Sequence, residues 1–167
     1  RDTEQYHVCL GGRGVSRTSG DRFALTLLDQ ILGGGASSRL FQEIRERRGM
    51  AYAVYSYGSH YVDTGSVGVY VGTREENVEE CLEVVGHEIA ELAAGRFADA
   101  ELERAKDSMK GRLALAMEST GARMSRLGKA LITGSELLSD DELTARIEAV
   151  SPEDVAALAA DLLAADR

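Results

Sequence analysis

Apolar positions along this chain follow two periods, and the change from one to the other divides it. Within 5–10, Tyr6, Val8 and Leu10 alternate with their neighbours, which predicts a strand ending at Gly11-Gly12. From near Asp21 the period becomes helical. Phe23, Leu27, Leu28 and Ile31 form a stripe that stops at Gly33-Gly34-Gly35, with Ser19 or Thr18 available as the cap. A second helix opens at Ser37 or Ser38, carries Leu40, Phe41 and Ile44, and stops at Gly49. Residues 51–57 and 65–72 read as strands bounded by Gly, Asp and Thr, an antiparallel pair.

Beyond Thr73 the pattern stays helical. Val78, Cys81, Leu82, Val85, Ile89 and Leu92 mark one face of a helix that ends at Gly95. A further helix starts near Ala100 under an Asp99 cap and buries Leu102, Ala105, Met109, Leu113 and Ala116. Ser139 with Glu142 forms a capping box; Ser151 with Asp154 forms an Asp variant, with Pro152 in the first helical position. Strands gathered early and helices gathered late predict one α+β domain, an antiparallel sheet packed against helices.

Composition narrows the function classes. The 167 residues are 44% apolar and 28% charged, enough for a single domain with a sizeable core. The net charge of −9 would repel phosphate backbones, which argues against nucleic acid as a partner. No apolar run is long enough to span a bilayer, so no membrane partner is expected. Cys9 and Cys81 sit among apolar neighbours and read as buried free thiols, in keeping with a bacterial cytoplasm. The chain opens at Arg1-Asp2-Thr3-Glu4 without an initiator methionine, which reads as a piece of something longer.

Familiar catalytic patterns are missing. His7, His60 and His87 are too far apart to form a helical ligand pair. His87-Glu88 starts like an HExxH motif, but Glu91 stands where the second histidine belongs, so an exposed helix face is the plainer reading. There is no Gly-x-Ser-x-Gly elbow. Gly11-Gly12-Arg13-Gly14 fits neither phosphate-loop spacing and reads as a turn.

The densest segment is 33–52, GGGASSRLFQEIRERRGMAY. Three adjacent glycines predict unusual backbone angles or a close approach. Arg45 and Tyr52 lie seven apart across the turn Arg48-Gly49-Met50. A guanidinium and a phenol there could together hold a peptide carbonyl and the oxyanion formed on it. A plainer alternative stays open: Arg45, Arg47 and Arg48 with Glu43 and Glu46 as a solvated helix end, and Tyr52 as an ordinary strand aromatic. Alternation is taken to set Tyr55 opposite Tyr52 and Tyr57, so only part of the tyrosine cluster could line a peptide path.

GGGASSRLFQEIRERRGMAYAVYS closely resembles the second-domain signature of the pitrilysin-like zinc metallopeptidases, in the branch of mitochondrial processing peptidase and its bacterial relatives. Thr3-Glu4-Gln5, Asp63-Thr64-Gly65, Gly72-Thr73, the run from Glu101 through Lys106, and Met117-Glu118-Ser119-Thr120 extend the likeness in order along nearly the whole chain.

The resemblance implies a metalloendopeptidase that closes as a clamshell around a peptide. Its zinc would be bound by an inverted His-x-x-Glu-His helix in an N-terminal domain absent from this chain. It implies that Arg45 and Tyr52 reach the substrate near the zinc, that Gly33, Gly34 and Gly35 position the arginine's helix, and that this domain supplies no metal ligand. Leu25-Thr26-Leu27-Leu28-Asp29 stand where the metal motif would be. Residues 1–167 are therefore expected to be one C-terminal, zinc-free domain of a two-domain subunit, inactive alone. Its expected partners are a peptide substrate, its own N-terminal domain and a second subunit sharing the chamber as a dimer. The alternative is a non-catalytic scaffold or partner subunit of the same family.

Overall fold

The structure, a computed structural model, describes residues 4–163. Thr3, with which the resemblance begins, lies outside the described residues. Strands β1 (Tyr6–Gly14), β2 (Ala51–His60) and β3 (Gly65–Thr73) form one antiparallel sheet in the order β1-β3-β2. Helices α1 (Arg22–Leu32), α2 (Val78–Ala93), α3 (Asp99–Glu118), α4 (Thr120–Thr133), α5 (Asp140–Glu148) and α6 (Pro152–Leu162) complete the α+β fold.

The core lies between the sheet and the helices packed on one side of it. Leu27, Leu28 and Ile31 of α1 meet Val54, Val69 and Val71 of the sheet, with Val85 and Leu92 of α2 and Val155 and Ala159 of α6. Burying each such side chain stabilises the fold by about 1.5–3 kcal/mol. Leu82, read as part of the buried face of α2, is instead exposed at 37%, and Val84 is buried in its stead.

Strand β1 does not stop at Gly11-Gly12. It pairs with β3 through Gly11 opposite Gly68, Gly12 opposite Val67 and Gly14 opposite Gly65. The glycine run is thus sheet, not a turn; ladder pairing outweighs the local preference of glycine for bends. Cys9 is exposed, against expectation, because it faces the side of the sheet that no helix covers; Cys81 is buried, and burial pushes its thiol pKa up. The register sets Cys9 beside Tyr70, and Tyr70 beside Tyr55.

Two caps match their sequence patterns. The Ser139 hydroxyl accepts the Glu142 N–H at 3.2 Å while Glu142 accepts the Ser139 N–H at 2.7 Å. Ser151 and Asp154 exchange the same bonds at 3.1 and 2.9 Å, behind Pro152. Two others differ. The Ser19 hydroxyl accepts the Asp21 N–H at 3.1 Å and caps no N–H of α1, whose N-cap position is Asp21 itself. Ala98, not Asp99, caps α3, with its N–H given to the Glu101 carboxylate at 2.9 Å.

Candidate functional site

The segment read as an ordinary helix after Ser38 is a π-helix, Phe41–Arg47. Such wider turns are rare and frequently occur at functional sites. It ends on Gly49 at φ +63°, where the Gly49 N–H reaches the Arg45 carbonyl at 3.1 Å and the Met50 N–H reaches that of Ile44 at 2.9 Å. Buried Ile44 and Met50 fasten this exit to the core, and the Thr73 hydroxyl donates to the Met50 carbonyl at 2.6 Å.

Strand β2 then begins with a bulge. Ala51 pairs with Thr73 and Ala53 with Gly72, so Tyr52 is the extra residue. Val54 and Ser56 face the core, and strict alternation from them would turn Tyr52 inward as well. The bulge turns it out instead, to 77% exposure. Tyr55 and Tyr57 share one face, with ring centroids 6.2 Å apart, which corrects the reading that opposed them; Tyr55 also stacks on Tyr70 at 4.9 Å.

Arg45 and Tyr52 come together. The Arg45 guanidinium lies 4.8 Å from the Phe41 ring centroid and 4.6 Å from that of Tyr52, and its Nη1 donates to the Tyr52 carbonyl at 2.9 Å. Glu46 stands 3.8 Å from its Nε. The cation lies over the face of the phenol, so the Tyr52 hydroxyl does not hold it. Among the described residues that hydroxyl has no hydrogen-bond partner. The result is a solvent-facing pair with N–H donors and one O–H donor to spare.

Arg39, which the sequence reading passed over, anchors the segment. Its Nε and Nη2 meet both oxygens of Glu101 at 2.7 and 3.0 Å, its Nη1 meets Glu88 at 3.3 Å, and Nη2 also reaches the Arg96 carbonyl at 2.8 Å. The bidentate bond raises the Arg39 pKa and lowers that of Glu101. Glu88 is therefore buried in an ion pair, not on an exposed helix face as His87-Glu88 suggested; His87 is exposed.

The three glycines act by proximity. None of Gly33, Gly34 or Gly35 has positive φ, although Gly33 at φ −151° and ψ 7° lies outside the helical and extended regions. A Cβ on Gly33 would overlap the Ser56 backbone nitrogen and lie 2.7 Å from its hydroxyl; one on Gly34 would lie 2.7 Å from the Gln30 Cα. The end of α1 therefore rests directly on β2, immediately before the π-helix segment.

Helix α1 does not fit a metal. Leu25, Leu27 and Leu28 are buried and cannot ligate. Asp29 is a lone carboxyl whose pKa is raised by burial, against the lowering influence of Ser56 and Arg112. No group of three His, Cys, Asp or Glu among the described residues could hold an ion.

Comparisons with known proteins bear on the family and the fold. An uncharacterized zinc protease of Streptomyces coelicolor is 46% identical over 98% of this chain, and one of Bacillus subtilis is 39% identical over 99%. The chain spans 36% and 41% of those two proteins. Among solved structures, a peptidase M16 inactive domain from Pseudomonas fluorescens superposes with a TM-score of 0.85 at 28% identity, covering 95% of this chain and 38% of that one. An inactive peptidase domain from Bordetella parapertussis shares the fold at 0.83 and 19% identity, covering 99% of this chain and 90% of its own. Residues 1–109 match the family model described as the peptidase M16 inactive domain, and the chain belongs to that family.

Proposed function

We propose that this domain is the metal-free half of a peptide-hydrolysing chamber, lending Arg45 and Tyr52 to the carbonyl of a bound peptide. The observation that carries this reading is the presented pair: a guanidinium held between the Phe41 and Tyr52 rings, beside a phenol that a bulge has turned out of the sheet. Spare N–H donors on Arg45 and the unpaired Tyr52 hydroxyl suit a carbonyl oxygen on which negative charge develops. The metal of such a protease lies outside this chain, on a domain that would precede it in a longer polypeptide. Closure of the two domains as a clamshell, completed by a second subunit in a dimer of the processing-peptidase kind, would bring the pair to the substrate.

The test is Arg45→Ala and Tyr52→Phe in the full-length protein, each assayed for peptide turnover and metal content. Losing one such donor typically lowers turnover by about 10²–10³-fold. Metal content should stay at the wild-type level. Unchanged turnover in both variants would refute the catalytic role and favour a non-catalytic scaffold or partner domain that binds peptide or a sister chain.

A further inference from the structure

At the end of α1 opposite the glycines, a cavity of about 410 Å³ opens between the start of α1, the end of β2 and α4. Arg17, Arg22, Arg126 and Lys129 line it, with His60, against the single carboxylate of Glu136. That is an unusual concentration of positive charge in a chain of net charge −9. Like charges around one concavity repel, and an anion inside relieves the repulsion.

The hydrogen bonds there leave donors over. Arg17 gives Nη2 to the His60 carbonyl at 2.9 Å and has no carboxylate partner among the described residues. His60 Nδ1 donates to the Val15 carbonyl at 2.9 Å, which leaves Nε2 of the neutral ring an acceptor, so His60 shapes the wall and is not counted among the donors. Arg22 reaches Glu136 only at 3.5 Å. Lys129 is exposed and has no ion-pair partner among the described residues.

Arg126 is fixed in the wall: its Nη1 bonds the Leu138 carbonyl at 2.7 Å and its Nη2 bonds Asp140 at 3.0 Å. Its Nε has no partner among the described residues but is sealed from the cavity, so Arg126 contributes charge to the site and not that N–H. We infer that this cavity binds an oxyanion, a phosphate or a carboxylate, whose oxygens accept from the surrounding guanidinium and ammonium groups. Planar guanidinium forks match both groups, and Phe23 and Met109 supply an apolar wall for the body of a ligand bearing one. The Thr133 hydroxyl on the same rim gives its proton to the Lys129 carbonyl at 2.6 Å and accepts that of Ser135 at 2.8 Å, so the charged side chains are the donors left to a ligand. The site is independent of Arg45 and Tyr52.

The test is an NMR titration of the isotope-labelled chain with inorganic phosphate, and in parallel with acetate, at ionic strength held constant with chloride. Saturable amide shifts confined to 16–22, 58–62 and 126–136 are expected. Lys129→Glu and Arg22→Gln should each raise the half-saturating concentration about tenfold. Arg104→Gln, beside Gln30 and Ile31 at the other end of α1, should leave it unchanged. Response to phosphate alone identifies a phosphate site, to acetate alone a carboxylate site, and to both a general oxyanion site. Shifts that stay linear in concentration, that scatter over the surface, or that survive both cavity variants would overturn the inference.

Discussion

Arg39 and Arg45 stand six residues apart in one segment and are held in opposite ways. Arg39 is largely buried, gripped by Glu101 and Glu88 from two different helices. Arg45 is more exposed, stacked between two rings, and bonded to a backbone carbonyl. A buried ion pair that loses one partner leaves uncompensated charge behind; an exposed stacked cation can be removed at little cost to the fold. The difference separates an anchor from a presented group. One arginine fixes where the π-helix begins, and the other is offered to whatever approaches the sheet's edge.

The largest effect expected on the fold lies just upstream. Gly33→Ala should lower unfolding free energy by about 3 kcal/mol, because its Cβ would collide with the Ser56 backbone, which cannot yield as a flexible side chain would. A denaturation midpoint equal to wild type would show that α1 does not seat the segment on β2. Arg39→Ala should follow at about 2 kcal/mol, discounted for partial exposure. Arg39→Lys should recover only part of the loss, since a point charge cannot grip both oxygens of Glu101.

The same clamp gives a pH dependence. Arg39 lowers the Glu101 pKa in the folded state, so the stability this pair contributes is complete above the ordinary glutamate value of about 4.3. It is lost as pH falls through the lower folded value. Asp29 has the opposite sign: burial raises its folded pKa, so its ionisation costs stability as pH rises from about 3.9 through that raised value. Comparing acid unfolding of Glu101→Gln with wild type isolates the first contribution. An unaltered acid limb in the variant would mean that the clamp is not ionic. The smallest effect on stability belongs to Arg45→Ala, about 1 kcal/mol or less for an exposed cation–π contact.

Local chemistry made part of this legible in the sequence. The α1 stripe, the alternation of Val67, Val69 and Val71, and the boxes at Ser139 and Ser151 depend on neighbours within a few residues. The Arg39 clamp joins residues 49 and 62 apart, so no spacing rule could expose it. The exposure of Cys9 depends on which face of the sheet the helices leave open, and the extension of β1 through its glycines depends on β3. In the candidate site, Arg45 and Tyr52 could be named from the sequence. The π-helix and the bulge that present them could not, because each adds a residue to a regular period without any distinctive residue type to announce it.

The central claim is that Arg45 is held for use on a bound peptide and not for the fold. It is tested most directly by measuring peptide turnover and denaturation midpoint together for Arg39→Ala and Arg45→Ala in the full-length protein. Arg45→Ala is expected to lose about 10²–10³-fold in turnover with a midpoint close to wild type, while Arg39→Ala shows the larger fall in midpoint. Wild-type turnover in a well-folded Arg45→Ala protein would contradict it.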